Sequence, residues 1–335
     1  MSKEKKKQNK PTAVGGQALI EGIMMNGPKG AAIAVRRLKD KEIVTEFQDF
    51  KHIRDKIKIL GWPFIRGIVN YIETMIIGYK SLMRSADLSG QLEDDEDPEN
   101  MSKLDRWISD HMGPKMLAAI TGAASILATL IGVGLFVYFP TWFVDFIDAK
   151  CFGDTLSAYH ALFEGILRAI LIVLYMFAVS RTKDIHRVFM YHGAEHKTIC
   201  CYEKGMELTV ENVRSCRRFH PRCGTSFLFV IVMISIIVSS IISICFPVLT
   251  DSANRILWIC VKLLVVLPVV TGISYEFIRY AGRHDNIVTK IFSAPGLWMQ
   301  RITTSEPDDE MIEVGIASLK AVLDDGTDNE EYTGA

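Results

Sequence analysis

Four long apolar runs punctuate an otherwise mixed chain. Residues from about 115–139, 161–180, 226–249 and 255–277 are apolar almost throughout, and each approaches the roughly twenty residues that carry a helix across a bilayer core. They predict four transmembrane helices in two pairs, 115–180 and 226–278. Ahead of them the pattern shortens. Val14 to Met25 is apolar but broken by Gly15, Gly16 and Gly22, which suits a strand or tight turn whose backbone comes close to a neighbour. Ala31 to Arg37 and Glu42 to Gln48 flank a Lys39-Asp40-Lys41 turn and predict a β-hairpin. Thr198 to Tyr202 predicts a further short strand for the same sheet. The fold class is therefore a mainly α-helical membrane protein with four transmembrane helices and a small cytoplasmic α+β domain containing a β-hairpin.

The intervening segments complete a domain plan. Residues 1–12 form a basic tail expected to be disordered, and 13–50 a β-rich segment. Residues 51–90 are helix-prone and apolar, yet carry Arg66, Asn70, Glu73 and Lys80, with Pro63 expected to kink any helix there. An interfacial amphipathic or re-entrant helix fits better than a full span. Residues 91–114 contain the acidic linker Glu93 to Asp97. In the C-terminal segment, 279–335, a capped and acidic start at Ser305 to Glu310 leads into apolar positions at helical spacing from Met311 to Leu323, predicting an amphipathic helix packed on the soluble domain.

Charge sets the orientation. The connection 181–225 carries nine Lys and Arg residues, among them Arg187, Lys197 and Arg222, whereas 140–160 carries Asp145, Asp148 and Asp154 against Lys150. The positive-inside rule places 181–225 and both termini in the cytoplasm of a multi-pass cell-membrane protein. Glu164, Arg168 and Lys262 fall inside spans, where they need one another as partners. The basic start, Met1 to Lys10, has no apolar core behind it and does not read as a cleaved signal peptide. A net charge of −1 and the absence of a basic, aromatic-interleaved stripe argue against nucleic acid as a partner. Seven scattered cysteines do not make a secreted disulfide framework.

Candidate chemistry concentrates in the 181–225 connection. Tyr191-His192-Gly193-Ala194-Glu195-His196-Lys197 contains the spacing H-x-x-E-H, which on a helix puts His192 and His196 one turn apart with Glu195 beside them. Further on, His220-Pro221-Arg222-Cys223-Gly224 resembles half a zinc knuckle with His in place of the first Cys. The four residues His192, His196, His220 and Cys223 are the candidate metal ligands, and imidazole with thiolate favours zinc, Zn2+, over magnesium or calcium. Four filled positions would make the site structural. Three would leave a position for chemistry, with Glu195 as general base in a metal-dependent hydrolysis. The inverted zincins take their third ligand from a distant glutamate; here Glu203, Glu207 and Glu211 are close by, and Glu211 suits a helix start at Thr209, so peptidase activity is not implied. Glu21 is a second candidate catalytic or anchoring carboxylate, with a hydrogen-bonded hairpin residue as the alternative. Lys197 and Arg222 could bind an anionic group or simply snorkel.

Four motifs in order, Gly15 to Gly22, Tyr191 to Lys197, His220 to Phe227 and Pro295 to Thr304, resemble those of the YqhQ family over about residues 13 to 325. That family is an uncharacterised group of bacterial multi-pass membrane proteins described as predicted metal-dependent enzymes. The resemblance implies a membrane location and a metal. Three functions are consistent with this reading: a membrane-anchored zinc hydrolase, a non-enzymatic assembly or interaction protein with a structural zinc site, or a transporter. The partners expected are the lipid bilayer and a protein or membrane-surface substrate whose identity the residues do not specify.

Overall fold

The computed structural model describes residues 14–27, 30–48, 57–91, 114–153, 159–220, 223–246, 255–281, 284 and 286–323. Four strands, β1 (Gly15–Leu19), β2 (Gly22–Gly27), β3 (Gly30–Arg36) and β4 (Ile43–Gln48), form one antiparallel sheet in the order of the chain. The expected hairpin is β3–β4, with Val35 opposite Val44 and Ala34 opposite Thr45. The glycine-punctuated segment before it makes a second hairpin, β1–β2, which turns at Ile20-Glu21.

The helices are α1 (Ile65–Ser89), α2 (Pro114–Val133), α3 (Phe139–Ile147), α4 (His160–Val179), α5 (Lys183–Glu203), α6 (Val210–Ser215), α7 (Gly224–Cys245), α8 (Arg255–Val261), α9 (Leu267–Ala281), α10 (Ile287–Thr303) and α11 (Asp309–Val322). A π-helical turn, Gly134–Tyr138, joins α2 to α3, and another, Lys262–Val266, joins α8 to α9. Two compact units result, one drawn from Met1–Gln91, Met176–Ile231 and Thr271–Ala335, the other from Leu92–Tyr175 and Val232–Val270.

In the first unit, one face of the sheet is covered by α5 and α11. Ile23, Met25, Ala32 and Ala34 from the sheet meet Tyr191, Ala194 and Ile199 of α5 and Met311, Val314 and Leu319 of α11 in a single buried cluster. Alternation along the strands sends Leu19, Met24, Ile33 and Val35 to the other face, where Ile77, Leu82 and Leu88 of α1 pack. Ser318 of α11 fits this interior because it is satisfied twice: it accepts from the Met25 N–H at 3.1 Å and donates to the Ala32 carbonyl at 2.9 Å. The amphipathic helix expected from Met311 to Leu323 is α11, but its cap is Asp308, whose side chain accepts from the Met311 N–H, and Ser305 and Pro307 precede the helix instead of starting it.

Three expectations need correction. Thr198 to Tyr202 is not a strand but the continuation of α5, where burial against α11 overrides the β-preference of Thr198 and Ile199 and the Thr198 hydroxyl donates back to the Ala194 carbonyl. The first apolar run does not end near 139: the helical stretch Gly122–Phe152 is continuous, and Pro140 falls in the first turn of α3, directly after the π-turn. Pro63 kinks no helix, because α1 starts two residues later, after Phe64 at φ 67°.

Among the described residues, four helical stretches are long and apolar enough to cross a membrane: Gly122–Phe152, His160–Val179, Phe227–Cys245 and Leu257–Ala281. Within the second unit, Glu164 is the ionic node expected from the sequence, receiving Arg168 at 2.5 Å and Lys262 at 2.9 and 3.0 Å. Arg168 also donates to the Phe136 carbonyl in the π-turn at 2.9 Å.

Candidate metal centre

α5 presents the H-x-x-E-H residues on a buried face. His192 and His196 lie one turn apart with ring centroids 4.4 Å from each other, as the i, i+4 spacing requires. The chain then leaves α5, makes α6 and returns to bring Cys223 against the same point: its Sγ is 3.2 Å from His192 Nε2. One donor atom each from His192, His196 and Cys223 lies within 4.8 Å of the others, so the trio could hold a metal ion. Ligand atoms around a tetrahedral ion at bond lengths of about 2.0–2.3 Å are roughly 3.5 Å apart, so small rotations would suffice.

The hydrogen bonds on the far sides of the two rings are the more telling feature. His192 Nδ1 faces the Thr303 carbonyl at 2.8 Å, and His196 Nδ1 faces the Arg218 carbonyl. A carbonyl only accepts, so each Nδ1 carries the proton and each Nε2 is left with a lone pair. This is the outer-shell arrangement that orients a metal-ligating histidine. His196 Nε2 is fully buried and has no hydrogen-bond partner among the described residues, an exceptional state for an interior nitrogen. Burial and the neighbouring His192 hold the His196 imidazole well below its ordinary pKa, so it stays neutral and able to donate its lone pair.

Glu195 lies beside the trio, one Oε2 at 4.0 Å from His192 Nε2 and without a partner among the described residues. Burial pushes its pKa up to about 8; His192 opposes this and Cys223 adds to it. The space Glu195 occupies is made by β1. A methyl group on Gly16 would fall 2.8 Å from both Cγ and Oε1 of Glu195, so a bare backbone is needed where strand and carboxylate meet.

His220 is adjacent but separate from the trio. Its ring is 5.8 Å from that of His196 and its Nε2 is 3.3 Å from Glu203 Oε2. Burial lowers its pKa to about 4. Its backbone is clamped by Gln300, which accepts from the His220 N–H at 2.8 Å and donates to its carbonyl at 2.7 Å.

The remaining candidates lie elsewhere. Glu21 sits at the β1–β2 turn with φ 50°, paired with the Arg187 guanidinium and 3.1 Å from the Tyr191 hydroxyl, the contacts of a hairpin residue. Lys197 is paired with Glu306 at 2.6 Å and donates to the Arg214 carbonyl. Arg222 lies outside the described residues. Glu211 is in the first turn of α6, after the Thr209 cap.

Sequence reasoning missed the supporting parts: the Thr303 and Arg218 carbonyls, Gln300 and Gly16. Carbonyls have no side-chain signature. Gly16 and the Pro295–Thr304 stretch stood out in the sequence, but nothing there tied them to the histidines. One further close approach shapes the site. Thr304 to Pro307 crosses α5 at Gly193, where the Ser305 N–H donates to the Phe189 carbonyl at 2.8 Å, and a Cβ on Gly193 would lie 2.0 Å from the Ser305 carbonyl oxygen.

Comparison with known proteins places the chain without naming a reaction. Residues 62–325 match a family described as "Protein of unknown function (DUF1385)". The chain is 34% identical over 320 residues to "Uncharacterized protein YqhQ" of Bacillus subtilis (strain 168), covering 95% of this chain and 94% of that protein. No solved structure matches significantly. With a family match over most of its length and a relative aligned almost end to end, the chain belongs to the YqhQ family, DUF1385.

Proposed function

We propose that this chain is a multi-pass cell-membrane protein in which His192, His196 and Cys223 hold one zinc ion on the cytoplasmic side, for hydrolysis of a substrate presented at the membrane surface. The four apolar helical stretches support the membrane reading, and the basic 181–225 connection supports the orientation. The single observation that carries the metal is the donor set: two imidazoles whose Nδ1 atoms face backbone carbonyls, so that their Nε2 atoms are turned towards one thiol, the three donors converging within 4.8 Å. Nitrogen and sulfur donors suit zinc.

Zinc, when bound, supplies Lewis-acid polarisation of the group to be cleaved. The chain's own residues do the rest. The Thr303 and Arg218 carbonyls keep both rings in one tautomer. Glu195 Oε2, beside the donors and hydrogen-bonded to nothing among the described residues, is placed to take a proton and return it to a leaving group. Three protein donors, not four, would be the complement of a catalytic rather than a structural zinc site.

A second reading is favoured by one specific observation. His196 and Glu195 are nearly inaccessible to solvent, and His220 stands next to His196. A turn of His220 away from Glu203 would close the tetrahedron and make the site structural, for assembly with a partner protein. Transport gains no support, since the charged groups within the apolar stretches, Glu164, Arg168 and Lys262, are engaged with one another.

Cobalt-substituted protein in detergent separates the two readings. An open position predicts that added azide changes the visible absorption of the cobalt, and that Glu195→Gln alters the pH dependence of that spectrum while retaining the metal. A spectrum indifferent to azide, to pH and to Glu195→Gln, but altered by His220→Ala, would establish the structural reading.

A further inference from the structure

Two helices of the first unit have their polarity inverted. α1 packs Ser81, Ser85 and Ser89 inward, fully buried: Ser81 donates to Met24 Sδ at 3.1 Å and Ser85 accepts from the Ile20 N–H at 3.2 Å. Its opposite face carries Ile72, Met75, Ile76, Tyr79 and Met83, which at 45–65% exposure are among the most exposed large apolar residues of the unit. Their spacing of i, i+3, i+4, i+7 and i+11 makes one continuous stripe. α10 repeats the arrangement. Thr289, Gln300 and Thr303 are buried, while Ile287, Val288, Ile291 and Trp298 on the other side are 53–76% exposed. A water-facing helix would be built the other way round, and scattered exposed apolar residues would not align on two helices at once.

What covers these stripes is indicated by where the helices are tethered. α1 is bound at its N-terminal end to α9, the last part of the apolar stretch Leu257–Ala281. Arg66 makes a bidentate pair with Glu276 at 2.7 and 2.6 Å, Asn70 donates to the Tyr275 hydroxyl at 2.6 Å, and Gly67 lies against Tyr275 and Gly272. Tyr71 packs on Phe227, the first residue of another apolar stretch, with ring centroids 6.1 Å apart. α10 begins six residues after α9 ends and returns against it through Phe292 and Phe277, centroids 5.1 Å apart. The apolar stripes thus start at the ends of membrane-crossing stretches. Trp62, just ahead of α1, and Tyr79 and Trp298 on the stripes are exposed and are the amphipathic side chains favoured at the headgroup level.

We infer that α1 and α10 lie in the interfacial layer of the lipid bilayer, with their apolar stripes sunk about 5–10 Å into the headgroup–acyl boundary. This rests on the membrane reading proposed above and extends it to the candidate metal centre. The inner face of α10 supplies both the Thr303 carbonyl that orients His192 and the Gln300 clamp on His220. One helix therefore touches lipid on one side and holds the centre on the other.

Single-tryptophan variants of the full chain, reconstituted in nanodiscs containing brominated phosphatidylcholine, test this. Keeping only Trp62 or only Trp298, most of the emission should be lost, and bromines high on the acyl chain should quench more than bromines near its methyl end. A variant keeping only Trp142, within Gly122–Phe152, reports on the spanning helices independently. Quenching at Trp142 with none at Trp62 and Trp298 overturns the inference and leaves the membrane reading intact. So does disulfide cross-linking between copies through Ile76→Cys or Ile291→Cys in place of quenching, which would assign the stripes to a second copy of the chain. No quenching at any of the three overturns the membrane reading itself.

Discussion

Replacing Gly193 by alanine sets two opposite effects against each other on the helix that carries both histidines. In an open helix interior, Gly→Ala stabilises by about 1 kcal/mol, because alanine loses less backbone entropy. At Gly193 the new Cβ would lie 2.0 Å from the Ser305 carbonyl oxygen, where real Cβ contacts stay beyond 3.0 Å. The segment Thr304–Pro307 must therefore retreat by at least 1.0 Å, the difference between those distances. It is backbone, held by the Ser305 N–H bond to Phe189 at 2.8 Å, and cannot swing aside as a side chain tip would. Overpacking of this kind costs about 1–3 kcal/mol or more, and a lost buried backbone hydrogen bond about 1 kcal/mol further. The clash should win, leaving Gly193→Ala less stable by about 1–3 kcal/mol. Retreat of the segment would also draw the Thr303 carbonyl from His192 Nδ1, so zinc should bind more weakly even in the folded fraction. Gly132→Ala, where a Cβ meets nothing within 4 Å, is the control and should be neutral or slightly stabilising. Thermal unfolding of both variants in detergent, with zinc titration of each, measures the two effects. Gly193→Ala at or above wild-type stability would refute the seating of this segment on α5.

Further outcomes follow from the same contacts. Glu21→Gln should cost about 1–2 kcal/mol, limited by the half-exposed Arg187, and should leave zinc content unchanged; a loss of zinc would move Glu21 into the site. Gln300→Ala strips the buried His220 backbone of two hydrogen bonds, so it should destabilise by about 2–4 kcal/mol and weaken zinc binding, as read by competition with a chromophoric chelator. In metal-free protein His220 is held at about 4 against an ordinary 6.5. Being depressed, it contributes stability that is present above about 6.5 and lost as pH falls through about 4, up to about 3 kcal/mol. His220→Asn should flatten the acid limb of a thermal-unfolding series between those pH values, and an unchanged limb would contradict the burial assigned to it.

How far the sequence discloses this molecule depends on whether a signal is local. The apolar stretches are, and so are the β3–β4 hairpin around Lys39-Asp40-Lys41 and the capped start of α11. Thr198–Tyr202 is misleading for a physical reason: its β-branched residues prefer strands, and only contact with α11, more than a hundred residues later, decides for helix. The end of the first apolar run near 139 misleads too, because the helical stretch continues through Pro140 to Phe152. At the candidate centre, the H-x-x-E-H spacing discloses His192, His196 and the neighbouring Glu195. The approach of Cys223 is suggested by the His-Pro-Arg-Cys-Gly turn. That turn says equally much for His220, and only the Gln300 clamp and Glu203, set by tertiary packing, separate the two. Glu21, flanked by glycines, looks in sequence like a residue near a ligand; its glycines serve the close passage of strands and of Glu195, and its own carboxylate meets Arg187.

The claim on which the rest depends is that α5 and Cys223 hold a metal. Elemental analysis of detergent-purified protein tests it most directly, comparing wild type with His192→Ala, His196→Ala, Cys223→Ser and Glu195→Gln. The account predicts one zinc per chain in wild type and in Glu195→Gln, with the metal lost in the other three. A wild-type protein free of transition metal, or zinc retained at full stoichiometry when either histidine or the cysteine is replaced, would contradict it.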